Sequence, residues 1–281
     1  MVREYLVNNF ENIINATQNR EMIYLINMVK KLPEGRELLN ANKDLIILKF
    51  VSGLIPIETI KEEKLENYLT IAINEILEEE GKEVGDIEEY GNGSRTKVYK
   101  IGNKIIKTGV SRWDDTVCYH KRILKPLLNV KLCKQNSIGE LLHLEITELA
   151  DIKNISEDEV YLVYKELRED GIIWADAKRT NLGRLIRPNV AYFKGISEVS
   201  YKTMGFREEV PEGEEPLGTG ELVIIDLDQI YREEEFMMSI ESDRVESQMF
   251  FESTYESRYQ KEKILEMISQ IRSQKDEERA V

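Results

Sequence analysis

A short polar segment that follows an apolar run carries the residue types needed to activate a hydroxyl group. Gly171-Ile172-Ile173-Trp174 leads to Asp176, and Lys178 and Asn181 follow closely. A carboxylate can orient a hydroxyl and accept its proton, and an amide oxygen can ligate Mg2+. The spacing therefore fits a proton acceptor beside a metal ion. Taken alone, D-x-K-x-x-N is a weak pattern, because solvated loop residues reach the same spacing by chance.

A second acidic position stands at the end of an apolar strand. The run from Leu222 to Ile225 ends abruptly in Asp226. Mg2+ prefers a few carboxylate or amide oxygens together with substrate phosphates. Asp226 and Asn181 carry oxygen atoms of these two kinds. The alternative interpretation is a strand capped by an exposed acidic turn.

A glycine-containing turn lies upstream, between two predicted strands. It holds Gly91 and Gly93 and is followed by Ser94 and Val98. Glycine lets the backbone approach a phosphate group closely and point its N–H groups at it. By itself, G-x-G predicts only a hairpin turn.

The two downstream segments resemble motifs of protein kinases. Residues 171–181 match the second half of H-R-D-x-x-x-x-N, except that Trp174 and Ala175 stand where His and Arg are usual. The strand that ends at Asp226 resembles the strand before D-F-G, with Asp228 at the position of the glycine. The chain is thus similar to compact bacterial or effector-type kinases with a truncated C-terminal lobe.

The resemblance implies a role for each of these residues. Asp176 would accept the proton of the attacking hydroxyl, and Lys178 would contact the transferred phosphate, as in Ser/Thr protein kinases. Asn181 and Asp226 would ligate the metal. The expected cofactors are ATP and Mg2+.

The glycine turn resembles the kinase loop G-x-G-x-x-G-x-V, with Thr96 in place of the third glycine. The resemblance implies that the residues of this turn contact the nucleotide; they are Gly91, Gly93, Ser94 and Val98. The backbone of Glu148 and Ala150, in an expected hinge from Glu145 to Ala150, would bind adenine.

Lys107 lies at the distance expected for the lysine of V-A-I-K, which contacts the α- and β-phosphates. Lys104 begins the same predicted strand and is expected to face solvent. The usual partner of this lysine is a glutamate on the next helix, but residues 111–128 contain none. Asp115 is therefore the candidate ion-pair partner, with helix capping as its alternative role.

The predicted fold class is α+β: a bilobal protein-kinase-like fold, with a small antiparallel sheet lobe and a reduced helical lobe, preceded by an all-helical region. Residues 1–85 form the helical region, 86–148 the sheet lobe, and 149–281 the reduced lobe with an insert at about 187–220. Strands are predicted at Ile87–Tyr90, Lys97–Ile101, Lys104–Lys107, Val130–Cys133 and Glu140–Thr147.

Three further elements are predicted from local patterns. A helix should cover Thr116–Leu128, and another should begin after Ser156, which opens a capping box. Glu233–Arg272 reads as one or two amphipathic helices. Their expected core contacts, with a partner groove as the alternative, are Tyr259, Ile264, Met267, Ile268 and Ile271.

The composition limits the class of protein. With 281 residues, 41% of them hydrophobic, the chain can bury a sizeable core. Lys and Arg number 39 against 53 Asp and Glu, and the net charge of -14 disfavours nucleic-acid and anionic-membrane partners. No apolar run is long enough to span a bilayer, and the N-terminus lacks a signal-peptide pattern. We expect a cytoplasmic protein, with secretion as an effector without a cleaved signal as the alternative.

The leading hypothesis is an ATP-dependent Ser/Thr-type protein kinase with a protein substrate. One alternative is a small-molecule phosphotransferase of the aminoglycoside- or sugar-kinase type, against which Lys178 argues. The other is a nucleotide-binding pseudokinase that acts as an interaction module, which the missing His, Arg, third glycine and helix glutamate favour. The N-terminal helical region is the expected binding place of a regulatory partner.

Overall fold

The computed structural model describes residues 2–54, 63–92, 96–111, 120–124, 126–135, 141–188, 204–205, 218–226, 230–234, 236 and 253–280. The chain divides into two compact units. The first contains Met1–Arg112, Leu124–Leu149 and Leu185–Gly220, and the second contains Trp113–Ile123, Ala150–Arg184 and Glu221–Val281. Helices and antiparallel sheets are both present, so the fold class is α+β, as predicted.

The first unit begins with helices where apolar residues recur at helical spacing. Met22, Ile26 and Val29 share one side of their helix and are buried, because a period of 3.6 residues places them on one face. The helices are α1 (Val2–Ala16), α2 (Met22–Val29), α3 (Gly35–Ala41), α4 (Lys43–Leu54) and α5 (Glu63–Glu79).

A six-stranded antiparallel sheet completes the first unit. Each strand predicted between residues 87 and 147 is present, with ends that differ by at most two residues, except that the strand predicted at Lys104–Lys107 continues to Ser111. The strands are β1 (Glu88–Asn92), β2 (Thr96–Ile101), β3 (Lys104–Ser111), β4 (Leu128–Gln135), β5 (Leu141–Glu148) and β9 (Met204–Gly205). Their order is β1-β2-β3-β5-β4-β9, so β3 and β5 are inner strands.

The helices and one face of this sheet share a single hydrophobic core. Ile101, Ile106 and Ile146 contribute to it from the sheet. Phe50 of α4 packs edge-on against Tyr99 of β2, with ring centroids 5.1 Å apart. Because side chains alternate along a strand, the residues next to Ile101, Ile106 and Ile146 in their strands direct their side chains to the opposite face of the sheet.

The predicted helix over Thr116–Leu128 is wrong in its second half. The described residues from His120 to Leu127 form turns and a single β-bridge. That bridge joins Ile123 to Ile224, a residue far away in sequence, and such pairing leaves no trace in local spacing. Asp115 lies outside the described residues.

The second unit is organised around helix α6 (Glu157–Glu169), which begins where it was predicted. The Glu159 N–H donates to the Ser156 hydroxyl at 3.2 Å, and the Ser156 N–H donates to the Glu159 carboxylate at 2.9 Å. This reciprocal pair is the expected capping box. Tyr164 and Leu167 lie on the buried face of the helix, in a second hydrophobic core.

Short strands complete the second unit. They are β6 (Ala150–Asp151), β7 (Ile172–Trp174), β8 (Leu182–Leu185), β10 (Leu222–Ile224) and β11 (Ile230–Arg232). β8 lies between β10 and β6, and β7 pairs antiparallel with β11. The strands on either side of the Asp176 segment are therefore paired with the strands on either side of Asp226.

The C-terminal helix α7 (Thr254–Ala280) corrects the core prediction for this segment. Tyr259 is buried, as predicted, but Ile264, Met267 and Ile268 are 56%, 60% and 41% exposed. Among the described side chains of the helix, the buried ones, Glu256 and Tyr259, lie in its first two turns, whereas residues 264–270 are all exposed. The side chain of Ile271 lies outside the described residues. Among the described helices, none is both long and apolar enough to cross a membrane.

Candidate functional site

The segment from Asp176 to Asn181 is a turn closed by side-chain hydrogen bonds. It leaves β7, enters a 3-10 helix over Arg179–Asn181 and continues into β8. The Asn181 amide nitrogen donates to the Asp176 carbonyl at 3.1 Å and to Asp176 Oδ2 at 2.9 Å. The two residues that the sequence assigned to one site are thus in contact.

These bonds fix the orientation of the Asn181 side chain. Because its nitrogen is directed at Asp176, its oxygen Oδ1 faces away, toward the Thr180 hydroxyl at 3.5 Å. Asn181 is buried, whereas Asp176 is half-buried. An amide oxygen held in one orientation is the type of hard oxygen donor that Mg2+ binds.

Asp226 is brought to this turn by backbone pairing. Ile224 of β10 is the register partner of Leu182 of β8. One residue further along, the Ile225 N–H donates to the Asn181 carbonyl at 2.9 Å. Asp226 follows directly and is half-buried. Asn181 and Asp226 together offer an amide and a carboxylate oxygen, which fits the donor set that Mg2+ takes.

Lys178 lies at the same turn and contacts the carboxylate of Asp176. Its Nζ is 2.5 Å from Asp176 Oδ2, and the two side chains are 50% and 36% exposed. An ion pair this exposed contributes little stability. Lys178 can therefore exchange this partner for another anion at small cost.

Gly183 of β8 is a position that the sequence analysis missed. A Cβ atom added there would lie 2.7 Å from the Cβ of Ala150 on β6. Only glycine lets the two strands approach this closely, and this approach holds β8 in the sheet. No local pattern could have marked the residue, because the neighbour it accommodates is remote in sequence.

Lys107, in the first unit, lies on the sheet face opposite the helices. Its register partners are Val98 on β2 and Glu145 on β5. Its Nζ is 2.9 Å from Glu145 Oε1. Gly91 pairs with Val98 after an irregularity in β1, so three of the predicted nucleotide contacts are neighbours here. Gly93 and Ser94 lie outside the described residues.

Lys104 does not face solvent, contrary to the prediction. Its side chain is fully buried on the helix-covered face, where it pairs with Glu148 and lies 3.2 Å from Glu79 of α5. Lys104 and Lys107 differ by an odd number of positions, so a strand directs them to opposite faces. A lysine at the start of a strand is expected to be solvated, but α5 covers this end of β3.

The expected hinge from Glu145 to Ala150 is also corrected. Residues up to Glu148 belong to β5, and Ala150 already belongs to β6, which leaves Leu149 as the link. The Leu149 N–H donates to the Asn103 carbonyl at 2.7 Å. Burial raises the pKa of the Glu148 carboxyl, although the ion pair with Lys104 opposes this. Backbone binding of adenine by Glu148 and Ala150 stays a prediction.

Neither a cluster of metal-binding side chains among the described residues nor similarity to a known protein assigns a role to the turn from Asp176 to Asn181. Within the described ranges, no three His, Cys, Asp or Glu side chains form a group that could hold a metal ion. The predicted site differs in kind, because it combines an amide oxygen and a carboxylate with substrate phosphates. Comparison of the chain with protein-family models, curated proteins and solved structures finds no match.

Proposed function

We propose that the protein is an ATP-dependent phosphotransferase of the Ser/Thr protein kinase type. The observation that carries the proposal is the hydrogen bond from the Ile225 N–H to the Asn181 carbonyl. It sets Asp226 beside the turn in which Asn181 contacts Asp176. A proton acceptor and two oxygen donors for a metal thus come from one paired-strand arrangement, as phosphoryl transfer requires.

Each residue of this turn has a distinct task in the proposal. Asp176 accepts the proton of the acceptor hydroxyl, and Lys178 balances the negative charge of the phosphate. Asn181 Oδ1 and the Asp226 carboxylate would hold Mg2+. When bound, Mg-ATP supplies the phosphoryl group and the metal charge that neutralises it.

The sheet of the first unit supplies the proposed nucleotide contacts. Lys107 presents an ammonium group on the face opposite the helices, next to Val98. Gly91 lies beside Val98 in the adjacent strand. An ammonium group and a glycine backbone are suited to phosphate oxygens.

The proposal is tested by incubating the protein with Mg2+ and ATP labelled at the γ-phosphate. A labelled protein product is expected, either the chain itself or an added protein acceptor. A labelled small molecule would favour the metabolite-kinase alternative, and binding without transfer would favour the pseudokinase. Saturating Mg-ATP should also raise the melting temperature, since ligand at 100 times its Kd stabilises by about 2.7 kcal/mol. Absence of any shift, with or without metal, would exclude all three.

A further inference from the structure

The first unit contains a lysine–glutamate contact on the face proposed for the nucleotide. Lys107 Nζ and Glu145 Oε1 are 2.9 Å apart, and the side chains are 22% and 13% exposed. They are direct register partners on the inner strands β3 and β5. The contact therefore lies well inside the sheet.

The backbone fixes the geometry of this contact. The pairing of β3 with β5 runs without a register shift from Lys104↔Glu148 to Ser111↔Leu141. Lys107 is held on its other side by β2, opposite Val98. Directly opposed residues in a sheet have Cβ atoms close enough for their side chains to meet. Glu145 thus has a defined position from which to hold the Lys107 ammonium.

The contribution of the Lys107–Glu145 ion pair to folding stability is too small to explain its presence. Its neighbours on the same face, Ile105 and Thr147, are 5% and 1% exposed, so the surroundings are poorly solvated. Moving a lysine and a glutamate into such surroundings costs desolvation that their attraction barely repays, and apolar residues often serve as well. A charged pair at this position is better explained by a task of the lysine.

We propose that Glu145 is a positioning residue, which holds the Lys107 ammonium in place for the phosphates of ATP. The inference rests on the proposed function and adds to it a side chain to which the kinase resemblance assigns no role. Because Glu145 acts through Lys107, its loss should affect turnover more than nucleotide affinity.

The test compares the full chain with its Glu145→Gln, Glu145→Asp and Glu88→Gln variants. Glu88 is an exposed glutamate of β1, opposite Lys100 in the same sheet, so it controls for loss of one carboxylate. Three quantities are measured: the Kd of Mg-ATP by calorimetry, phosphate release from Mg-ATP, and acetylation of Lys107 with and without Mg-ATP by mass spectrometry. Melting temperature and circular dichroism report folding.

For Glu145→Gln we expect phosphate release to fall by about 10- to 100-fold, because a misplacement of about 1 Å can cost 100-fold in rate. Its Kd should rise by no more than about threefold, since the charge of Lys107 is retained. Mg-ATP should protect Lys107 from acetylation less in this variant than in the wild type. Glu145→Asp, which keeps the charge one methylene shorter, should be intermediate, and Glu88→Gln should match the wild type.

Two results would overturn the inference while leaving the proposed function intact. One is a Glu145→Gln variant that turns over normally and binds Mg-ATP as tightly as the wild type or more tightly, as expected if Glu145 merely repels phosphate. The other is a loss of activity in both Glu145 variants that is fully explained by a smaller amount of folded protein. If the wild type itself fails to bind Mg-ATP, the proposed function fails first and the inference fails with it.

Discussion

Asp176 receives two nitrogen donors on a single oxygen. Lys178 Nζ and Asn181 Nδ2 both contact Oδ2. The Asn181 side chain is buried, whereas the Lys178 side chain is half exposed. We therefore expect Asn181 to set the position of the carboxylate and Lys178 to respond to ligands.

A pair of amide substitutions separates the proposed roles of the two acidic residues. Asp176→Asn should leave the Kd of Mg-ATP within about threefold of the wild type and lower turnover by roughly 100- to 10,000-fold, because a general base acts on the transition state. Asp226→Asn should weaken Mg-ATP binding itself, since it removes a metal ligand. Calorimetry and labelled-phosphate transfer measure the two effects.

The matched control for these variants is Asp158→Asn, an exposed acid of α6 that pairs with Arg258. It should bind and turn over as the wild type does. Equal behaviour of the Asp176 and Asp226 variants would show the role assignment to be wrong. The same holds if Asp228→Asn weakens Mg-ATP binding while Asp226→Asn does not.

At the scale of elements, β3 and β5 carry lysine–glutamate pairs on both faces of one sheet. Lys107–Glu145 is partly exposed, whereas Lys104–Glu148 is buried beneath α5. Glu148 Oε2 has no hydrogen-bond partner within the described structure, and Lys104 is shared with Glu79. Burial therefore raises the pKa of the Glu148 carboxyl above its ordinary range.

This raised pKa predicts how Glu148→Gln changes stability with pH. The folded state holds the Glu148 proton more tightly than the unfolded state, so wild-type stability falls as pH rises from the ordinary glutamate pKa through the raised one. Glutamine mimics the protonated carboxyl and removes this loss. At pH 7 the unfolding free energy of the variant should equal or exceed that of the wild type, because Lys104 keeps Glu79 as a partner when Glu148 is neutralised.

Urea denaturation at pH 4 and pH 7 measures this difference. The unfolding free energies of wild type and Glu148→Gln should converge at the lower pH. Lys104→Met is the counterpart variant, and it should be destabilised at pH 7 because it leaves a buried carboxylate without its partner. A large loss of stability in Glu148→Gln at pH 7 would contradict the prediction.

Across the molecule, the described residues build two hydrophobic cores, one in each unit. The second core ends at Tyr259 on α7. Just before it, Glu256 is buried and accepts hydrogen bonds from Tyr164 and Arg168 of α6. Burial and the Glu256 carboxylate together raise the pKa of the Tyr164 hydroxyl, which therefore stays protonated as the donor.

Two truncations test where α7 contributes to stability. Ending the chain after Lys263 removes the exposed residues 264–270 together with the rest of the helix, and it should change the unfolding free energy by less than about 0.5 kcal/mol. Ending it after Ser253 deletes Glu256, which is a partner of the buried Arg168. This truncation should lower the unfolding free energy by about 3–5 kcal/mol. Urea denaturation of the full chain and both truncations checks this. Similar losses in the two truncations would mean that the second half of α7 is also packed.

The sequence by itself predicted what depends on local order. The helical spacing of Met22, Ile26 and Val29, the capping box at Ser156 and the alternating strands of the sheet were all readable, because each is determined by neighbours along the chain. The grouping of Asp176, Asn181 and Asp226 into one candidate site came from the resemblance of their segments to kinase motifs. Their role in phosphoryl transfer stays a proposal.

Tertiary structure decided the features that depend on remote partners. Lys104 is buried rather than exposed because α5 covers the end of β3. The helix expected at 116–128 does not form at Ile123, which pairs with Ile224 instead. Ile264 is exposed because it lies in a stretch of α7, residues 264–270, that packs no side chain into the core. Glu145 became the partner of Lys107 through strand register alone. Burial and pairing across long sequence distances follow from the summed packing of whole elements, and no local window of sequence contains that information.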